Sequence, residues 1–280
     1  LGEKFNLLKD ASGLAFFTIP SFDKMGFTIS AFSTRFGGYS LPPYDGLNMS
    51  FHVGDDWQRV VKNRQLLCHV LGLRMESLVA GKQVHGDEVA IVDKEWNVDR
   101  NVDKEWGHVN RDALPEVDGL ICNQPNIPLI AFFADCVPVY ILDPVRRVIG
   151  LAHAGWKGTV LEIARKVLQK MQTAFDSKPC DCLAAIGPSI GPCCYEVDAK
   201  VLDMARHCLP YAKKVIKPLS GQKGMFDLWL ANALALEETG VPSGSICTSG
   251  LCTACNTQMF FSHRKEKGHT GRMAALLMLK

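Results

Sequence analysis

The spacing of apolar residues divides the chain into a strand-rich first part and a mixed second part. Residues 27–32 alternate loosely between apolar and polar, which predicts a strand. The strand is broken by Ser33-Thr34-Arg35-Phe36-Gly37-Gly38-Tyr39-Ser40. Two glycines beside an arginine let the backbone there take φ > 0 and approach a ligand closely. Residues 55–71 predict a helix, with Asp55 or Asp56 as its cap, Val60, Val61, Leu67 and Val70 at helical spacing, and Gly72 as its stop. Residues 118–121, 129–133, 139–142 and 148–153 read as buried strands, the last two joined by the turn Asp143-Pro144-Val145-Arg146-Arg147.

Further on, 158–175 predicts one long helix with Val160, Ile163, Ala164, Val167, Leu168 and Met171 on its apolar face. A short strand at 183–186 leads into Gly187-Pro188-Ser189-Ile190-Gly191-Pro192, and helices over 198–208 and 226–239 alternate with loops. The pentapeptide Val-Asp-Lys-Glu-Trp occurs twice between 92 and 106, which is too few copies for a solenoid and reads as a duplication in a surface hairpin or loop. No Ser- or Gly-rich linker divides the chain, so a single α/β domain over 1–280 is expected.

Composition narrows the class. The 280 residues carry a net charge of +2 and are 47% hydrophobic, enough to bury a core without disulfide staples. Disorder is excluded, and a charge this small gives no reason to invoke nucleic acid. The longest apolar run, 127–142, is interrupted by Pro128, Asp135 and Pro138 and is too short to span a bilayer, so no membrane association is expected. Residues 1–10 lack the apolar core of a secretory signal. Eleven cysteines, an odd number without regular spacing, suggest free thiols in a reducing compartment and hence a cytoplasmic protein. Oligomeric state is not legible.

Three segments place soft metal ligands at strand edges: Gln83-Val84-His85-Gly86, Ala134-Asp135-Cys136-Val137-Pro138 and Ala152-His153-Ala154-Gly155-Trp156-Lys157-Gly158. The spacing of Cys136 and His153 suits the same end of two neighbouring strands. One thiolate and two imidazoles make a zinc ligand set with a fourth position left open, although each residue taken singly also fits a structural role. The remaining cysteines point nowhere. Cys252-Thr253-Ala254-Cys255 lacks the second pair of a zinc ribbon, and no His-x-Glu accompanies it as in zinc deaminases. Cys193-Cys194 and Cys180-Asp181-Cys182 also lack a second half. Arg35 beside its Gly-Gly turn, Lys157 at a helix start, and Arg264 and Arg272 within residues 262–272 are candidate phosphate contacts, the alternative being a solvated basic loop. No P-loop or dinucleotide fingerprint is present.

Taken in order, Ser33-Thr34-Arg35-x-Gly37-Gly38-x-Ser40, Leu47-Asn48-x-Ser50, Gln83-Val84-His85, Val117-Asp118-Gly119, Ala134-Asp135-Cys136-x-Pro138, His153-Ala154-Gly155-Trp156-Lys157-Gly158, Ile186-Gly187-Pro188-x-Ile190-Gly191 and Phe261-Ser262-x-Arg264 with Thr270-Gly271-Arg272 resemble the YfiH/YlmD family. Its members were once called laccase-like multicopper polyphenol oxidoreductases and are now described as purine nucleoside phosphorylases. The resemblance covers residues 25–280. It implies an α/β sandwich with mixed sheets flanked by helices, similar to the cysteine-hydrolase domain of a deamidating toxin. It also implies zinc on His85, Cys136 and His153. The implied activities are phosphorolysis of adenosine, inosine, guanosine and methylthioadenosine, and deamination of adenosine.

A conventional laccase needs about ten histidine ligands, many in His-x-His pairs. This chain has eight histidines and no such pair. One copper in the zinc site remains compatible with the ligands. In the nucleoside reading, zinc activates water for attack on purine C6. Asp135 is then either a proton-handling group or a structural carboxylate, and Arg35, Lys157 and Arg264 hold phosphate and ribose. Two other classes stay open: a metal-free hydrolase or deamidase with Cys136 as nucleophile and His153 as base, which does not require His85, and a non-catalytic partner module.

Overall fold

The computed structural model describes residues 5–93 and 115–280, together with the backbone of 102–103 and 108–109. In chain order the elements are β1 (Asn6–Lys9), β2 (Ala15–Thr18), α1 (Pro20–Asp23), β3 (Thr28–Ser33), α2 (Trp57–Leu71), β4 (Val89–Ile91), β5 (Val102–Asp103) and β6 (His108–Val109). Then come β7 (Gly119–Cys122), β8 (Leu129–Phe133), β9 (Val137–Asp143), β10 (Val148–Ala154), α3 (Trp156–Val160), α4 (Ile163–Phe175) and β11 (Leu183–Ile186). The chain closes with β12 (Glu196–Val197), α5 (Ala199–Cys208), α6 (Ala212–Val215), β13 (Ile216–Pro218), β14 (Gly224–Phe226), α7 (Leu228–Glu238), β15 (Ile246–Thr248) and β16 (Met273–Leu279).

Two large sheets organise these elements. One is antiparallel, in the order β1-β2-β3-β16-β8. The other is mixed, in the order β15-β11-β9-β10-β7-β4, with parallel pairing at both edges. Side chains alternate across each strand, and the alternation assigns them to different layers. On β9, Val137, Val139 and Ile141 enter the core shared with α4 and α7, while Tyr140 and Leu142 enter the core between the sheets. On β16, Met273, Ala275 and Leu277 face that same inter-sheet core, and Ala274 and Leu276 pack toward Leu67 of α2. The layers therefore run helix, sheet, sheet, helices, a mixed α/β architecture as expected. A strand buried on both faces reads as a continuous apolar run, which is how 129–133 and 148–153 appeared in the sequence. The buried Tyr140 hydroxyl is satisfied by donating to the Ala31 carbonyl of β3, at 2.8 Å across the inter-sheet core.

Local signals set most boundaries. Asp56 caps α2 by accepting from the Arg59 amide, and Gly72 ends it in the left-handed conformation at φ 69°. Asp198 and Asp227 cap α5 and α7 in the same way. In the β9–β10 turn, Asp143 Oδ1 accepts from the amides of Val145 and Arg146, both at 2.9 Å. One expectation differs: the single helix over 158–175 is two helices. Glu162 stands between them at φ 57°, where its carboxylate accepts from the Tyr211 hydroxyl and pairs with Arg165. The break leaves α3 free to turn toward the end of β10, fixed by the Asn232 amide donating to Thr159 Oγ1. Most of the duplicated segment at 92–106 lies outside the described residues; the backbone of β5 pairs with β6. Among the described residues, no helix is long and apolar enough to cross a membrane.

Candidate active site

The hairpin of β9 and β10 puts Cys136, just before β9, beside His153 near the end of β10, whose neighbour Ala154 pairs with Val137. These two strands therefore deliver a thiol and an imidazole to one end of the mixed sheet. His85 arrives from the loop before β4. That loop is clamped from two sides: the Gln83 side chain exchanges two hydrogen bonds with the backbone of Phe132, at 2.8 and 3.0 Å, and the Asp118 carboxylate accepts from three successive amides, Val84, His85 and Gly86. Such anchoring sustains a left-handed backbone at His85, with φ 60°.

The Asp118 carboxylate also meets His153 Nδ1 at 2.7 Å. An ionised carboxylate only accepts, so the proton sits on Nδ1, and Nε2 is left for a ligand or a proton. Donor atoms of His85, Cys136 and His153 all lie within 4.8 Å of one another. A glycine makes room for them. A Cβ on Gly155 would stand 3.0 Å from His85 Cδ2 and 3.1 Å from Cys136 Sγ, which accounts for the small residue in His153-Ala154-Gly155-Trp156.

Charges in the cluster are strongly biased. Burial pushes the Cys136 thiol up, but the charge of His153 and hydrogen bonding from His153 and His85 outweigh it and bring the thiol below its ordinary range. Burial alone would lower His153; the Cys136 charge and the Asp118 hydrogen bond raise it instead. Asp118 resists the upward push of its own burial through the hydrogen bond and charge of His153, and ends below the usual carboxylate range. A thiolate flanked by two imidazoles, one of them oriented by a carboxylate, is the donor set of a borderline-soft metal ion with one outer-sphere support. The three residues thus fit a single ion.

They open onto a cavity of about 540 Å³ that also takes in Phe132, Tyr195, His263, Arg264 and Arg272. Arg264 is held over the Tyr195 ring, 5.0 Å from its centroid, and its Nη1 donates to the Glu196 carbonyl at 2.8 Å. The Arg272 guanidinium donates to the carbonyls of Thr270 and Gly271. Asp135 borders the cavity at φ 85°, with its carboxylate engaged: Oδ1 accepts from Thr253 Oγ1 at 2.6 Å, and Oδ2 from Ser262 Oγ and the Arg264 amide at 3.1 and 2.6 Å. It works as an anchor for the loop that presents Arg264.

The other two cations stand elsewhere. Arg35 is paired with Asp45 and Glu266, donates to the Thr257 carbonyl and lies over the Phe261 ring; neither it nor the exposed Lys157 borders the cavity. Residue-type reasoning overlooked Asp118, Gln83, Tyr195 and His263. Asp118 stood inside a quoted motif without a role, since nothing local tells that a carboxylate will meet a histidine 35 positions away.

The mixed α/β fold thus gathers a Cys/His donor set at one end of a sheet, and similarity to known proteins gives the class of protein it belongs to. The chain belongs to the family described as multi-copper polyphenol oxidoreductase laccase, whose profile matches residues 29–280. It is 41% identical over 253 residues to the purine nucleoside phosphorylase YlmD of Geobacillus stearothermophilus, covering 89% of each chain. It is 33% identical to the adenosine deaminase RL5 of an unknown prokaryotic organism, over 87% of this chain and 91% of that one. The crystal structure of the Bacillus licheniformis protein YfiH superposes with a TM-score of 0.89 at 36% identity, covering 98% and 99% of the two chains. The protein is an enzyme of this family.

Proposed function

We propose that the chain is a zinc-dependent purine nucleoside phosphorylase that also deaminates adenosine. The observation that carries this reading is the shared cavity: the His85, Cys136 and His153 donors and the cationic Arg264 and Arg272 face one space. Its volume lies in the range of small-molecule sites. Phosphorolysis breaks the bond between the purine nitrogen and C1′ and forms a bond from C1′ to a phosphate oxygen. In this reading Arg264 and Arg272, which border the cavity, hold the phosphate dianion near that carbon while positive charge develops on the ribosyl group. Tyr195 and Phe132 border the same cavity and are aromatic side chains that a bound purine would meet. In deamination, water adds at C6 and ammonia leaves. The zinc ion, when bound to His85, Cys136 and His153, would supply Lewis-acid polarisation and activation of water. Asp118 holds the His153 proton on Nδ1, and Asp135 holds the Arg264 loop in register. The relatives named as a phosphorylase and as a deaminase support the same pair of reactions. Copper would fit the same donors, and the family's oxidase description is the reading it corresponds to.

A second reading has its own observation. Cys136, His153 and Asp118 form a chain of thiol, imidazole and carboxylate like that of acyl-transfer enzymes. Purified protein incubated with adenosine, with and without phosphate, before and after chelation, separates the two. Adenine and ribose 1-phosphate formed only with phosphate, inosine formed without it, and loss of turnover on chelation support the zinc reading. Turnover indifferent to chelation, in protein without stoichiometric metal, supports the metal-free reading with Cys136 as nucleophile and His153 as base.

A further inference from the structure

The cysteine pairs that looked unmatched along the sequence are each other's missing halves. Backbone hydrogen bonds zip residues 186–189 to 249–253: Ser249 N to Ile186 O at 2.9 Å, Ser189 N to Leu251 O at 3.2 Å, and Thr253 N to Ser189 O at 3.0 Å. Beyond the zip, the amides of Cys194 and Tyr195 both donate to the Gly191 carbonyl, which curls Cys193 and Cys194 back over Cys252 and Cys255. All four sulfurs come within 4.8 Å of one another. Sγ of Cys255 lies 3.6 Å from that of Cys193 and 3.3 Å from that of Cys194.

These separations are far from the roughly 2.05 Å of a disulfide. They are close to the roughly 3.8 Å between sulfurs that a tetrahedral ion with metal–sulfur bonds of about 2.3 Å imposes. The Gly191 amide also points at Cys252 Sγ, at 3.2 Å, and a backbone N–H on sulfur is the outer support that a metal thiolate receives. Gly191 has little room to be anything larger: a Cβ there would stand 2.8 Å from Trp229 and 3.2 Å from Cys252 Cβ. Cys193 and Cys255 are exposed, so water can screen the negative charge that four thiolates keep around a divalent ion.

We propose that Cys193, Cys194, Cys252 and Cys255 form a second metal site, which binds zinc as a closed tetrathiolate. With four protein ligands and no open position, it is structural. It fastens the turn carrying Ile190 and Tyr195 to the loop whose Thr253 is bonded to Asp135, so the metal staples the outer wall of the cavity from behind.

The test uses the full chain purified under reducing, anaerobic conditions without added metal. Metal analysis is expected to give about two zinc ions per wild-type chain, and about one in Cys136→Ala and in the Cys193→Ser/Cys255→Ser double variant. Cobalt loaded into Cys136→Ala, where the first site is disabled, is expected to give the intense thiolate charge-transfer bands and tetrahedral visible spectrum of four sulfur ligands. Cobalt in Cys136→Ala without sulfur charge transfer, or wild-type zinc no higher than in a folded double variant, overturns the proposal. So does a disulfide among these four cysteines that persists in protein purified in this way. The cobalt spectrum reads the site in a chain that keeps all four thiols, so a double variant that fails to fold does not blunt the test.

Discussion

Asp118 Oδ1 stands 2.7 Å from His153 Nδ1, and the same carboxylate accepts the amides that hold the His85 loop. One side chain thus orients two of the three donors. Asp118→Asn keeps the shape but replaces an acceptor oxygen with an NH2 group, which cannot accept from an amide. Loss of such a supporting carboxylate weakens metal affinity by about 10–100-fold. Competition titration against a chromophoric chelator checks this, and unchanged affinity would show that Asp118 serves folding alone.

Gly155 has φ −70° and ψ 178°, a conformation open to alanine, so Gly155→Ala introduces a clash without backbone strain. The added methyl presses on His85 and Cys136. Overpacking of this kind costs about 1–3 kcal/mol, and displaced donors are expected to lower turnover by on the order of 10-fold or more. Thermal melting and steady-state kinetics on one preparation read both effects; wild-type turnover in the variant would mean the donors adjust freely.

For Asp135, three donors converge on a buried carboxylate. Asp135→Asn turns one acceptor into a donor facing Thr253 or the pair from Ser262 and Arg264. A loss of about 2–3 kcal/mol in stability is expected, with phosphate KM raised through the misplaced Arg264. Urea unfolding gives the first quantity. A variant of full stability that loses only turnover would instead mark Asp135 as a proton-handling group.

Arg272 and Arg264 border the cavity, whereas Arg35 is spent on Asp45, Glu266 and the Phe261 ring. Arg264→Ala and Arg272→Ala are expected to raise phosphate KM by about 10-fold or more, in line with loss of a charge-assisted contact. Arg35→Ala is expected to leave that KM within about twofold and to cost about 1–2 kcal/mol of stability. A large KM effect confined to Arg35→Ala would reverse the assignment.

The elements legible in the sequence were those with local causes. Caps at Asp56, Asp198 and Asp227 and the stop at Gly72 fixed helices α2, α5 and α7, and the Asp143 turn fixed the hairpin that joins Cys136 to His153. The break at Glu162 was invisible, because the apolar stripe of 158–175 continues through it and its partner Tyr211 lies 49 residues away.

The residues of the candidate site show the same division. His85, Cys136 and His153 could be named from residue type and motif, because soft donors at strand ends carry their chemistry with them. Their grouping could not, since it depends on Asp118 and Gln83 reaching across from other elements. Along the sequence Cys193-Cys194 and Cys252-x-x-Cys255 are halves without partners; only the pairing of 186–189 with 249–253 makes them one cluster. Local chemistry is written along the chain, whereas convergence of distant groups is decided by how the two sheets and their loops pack, which no spacing along a single chain encodes.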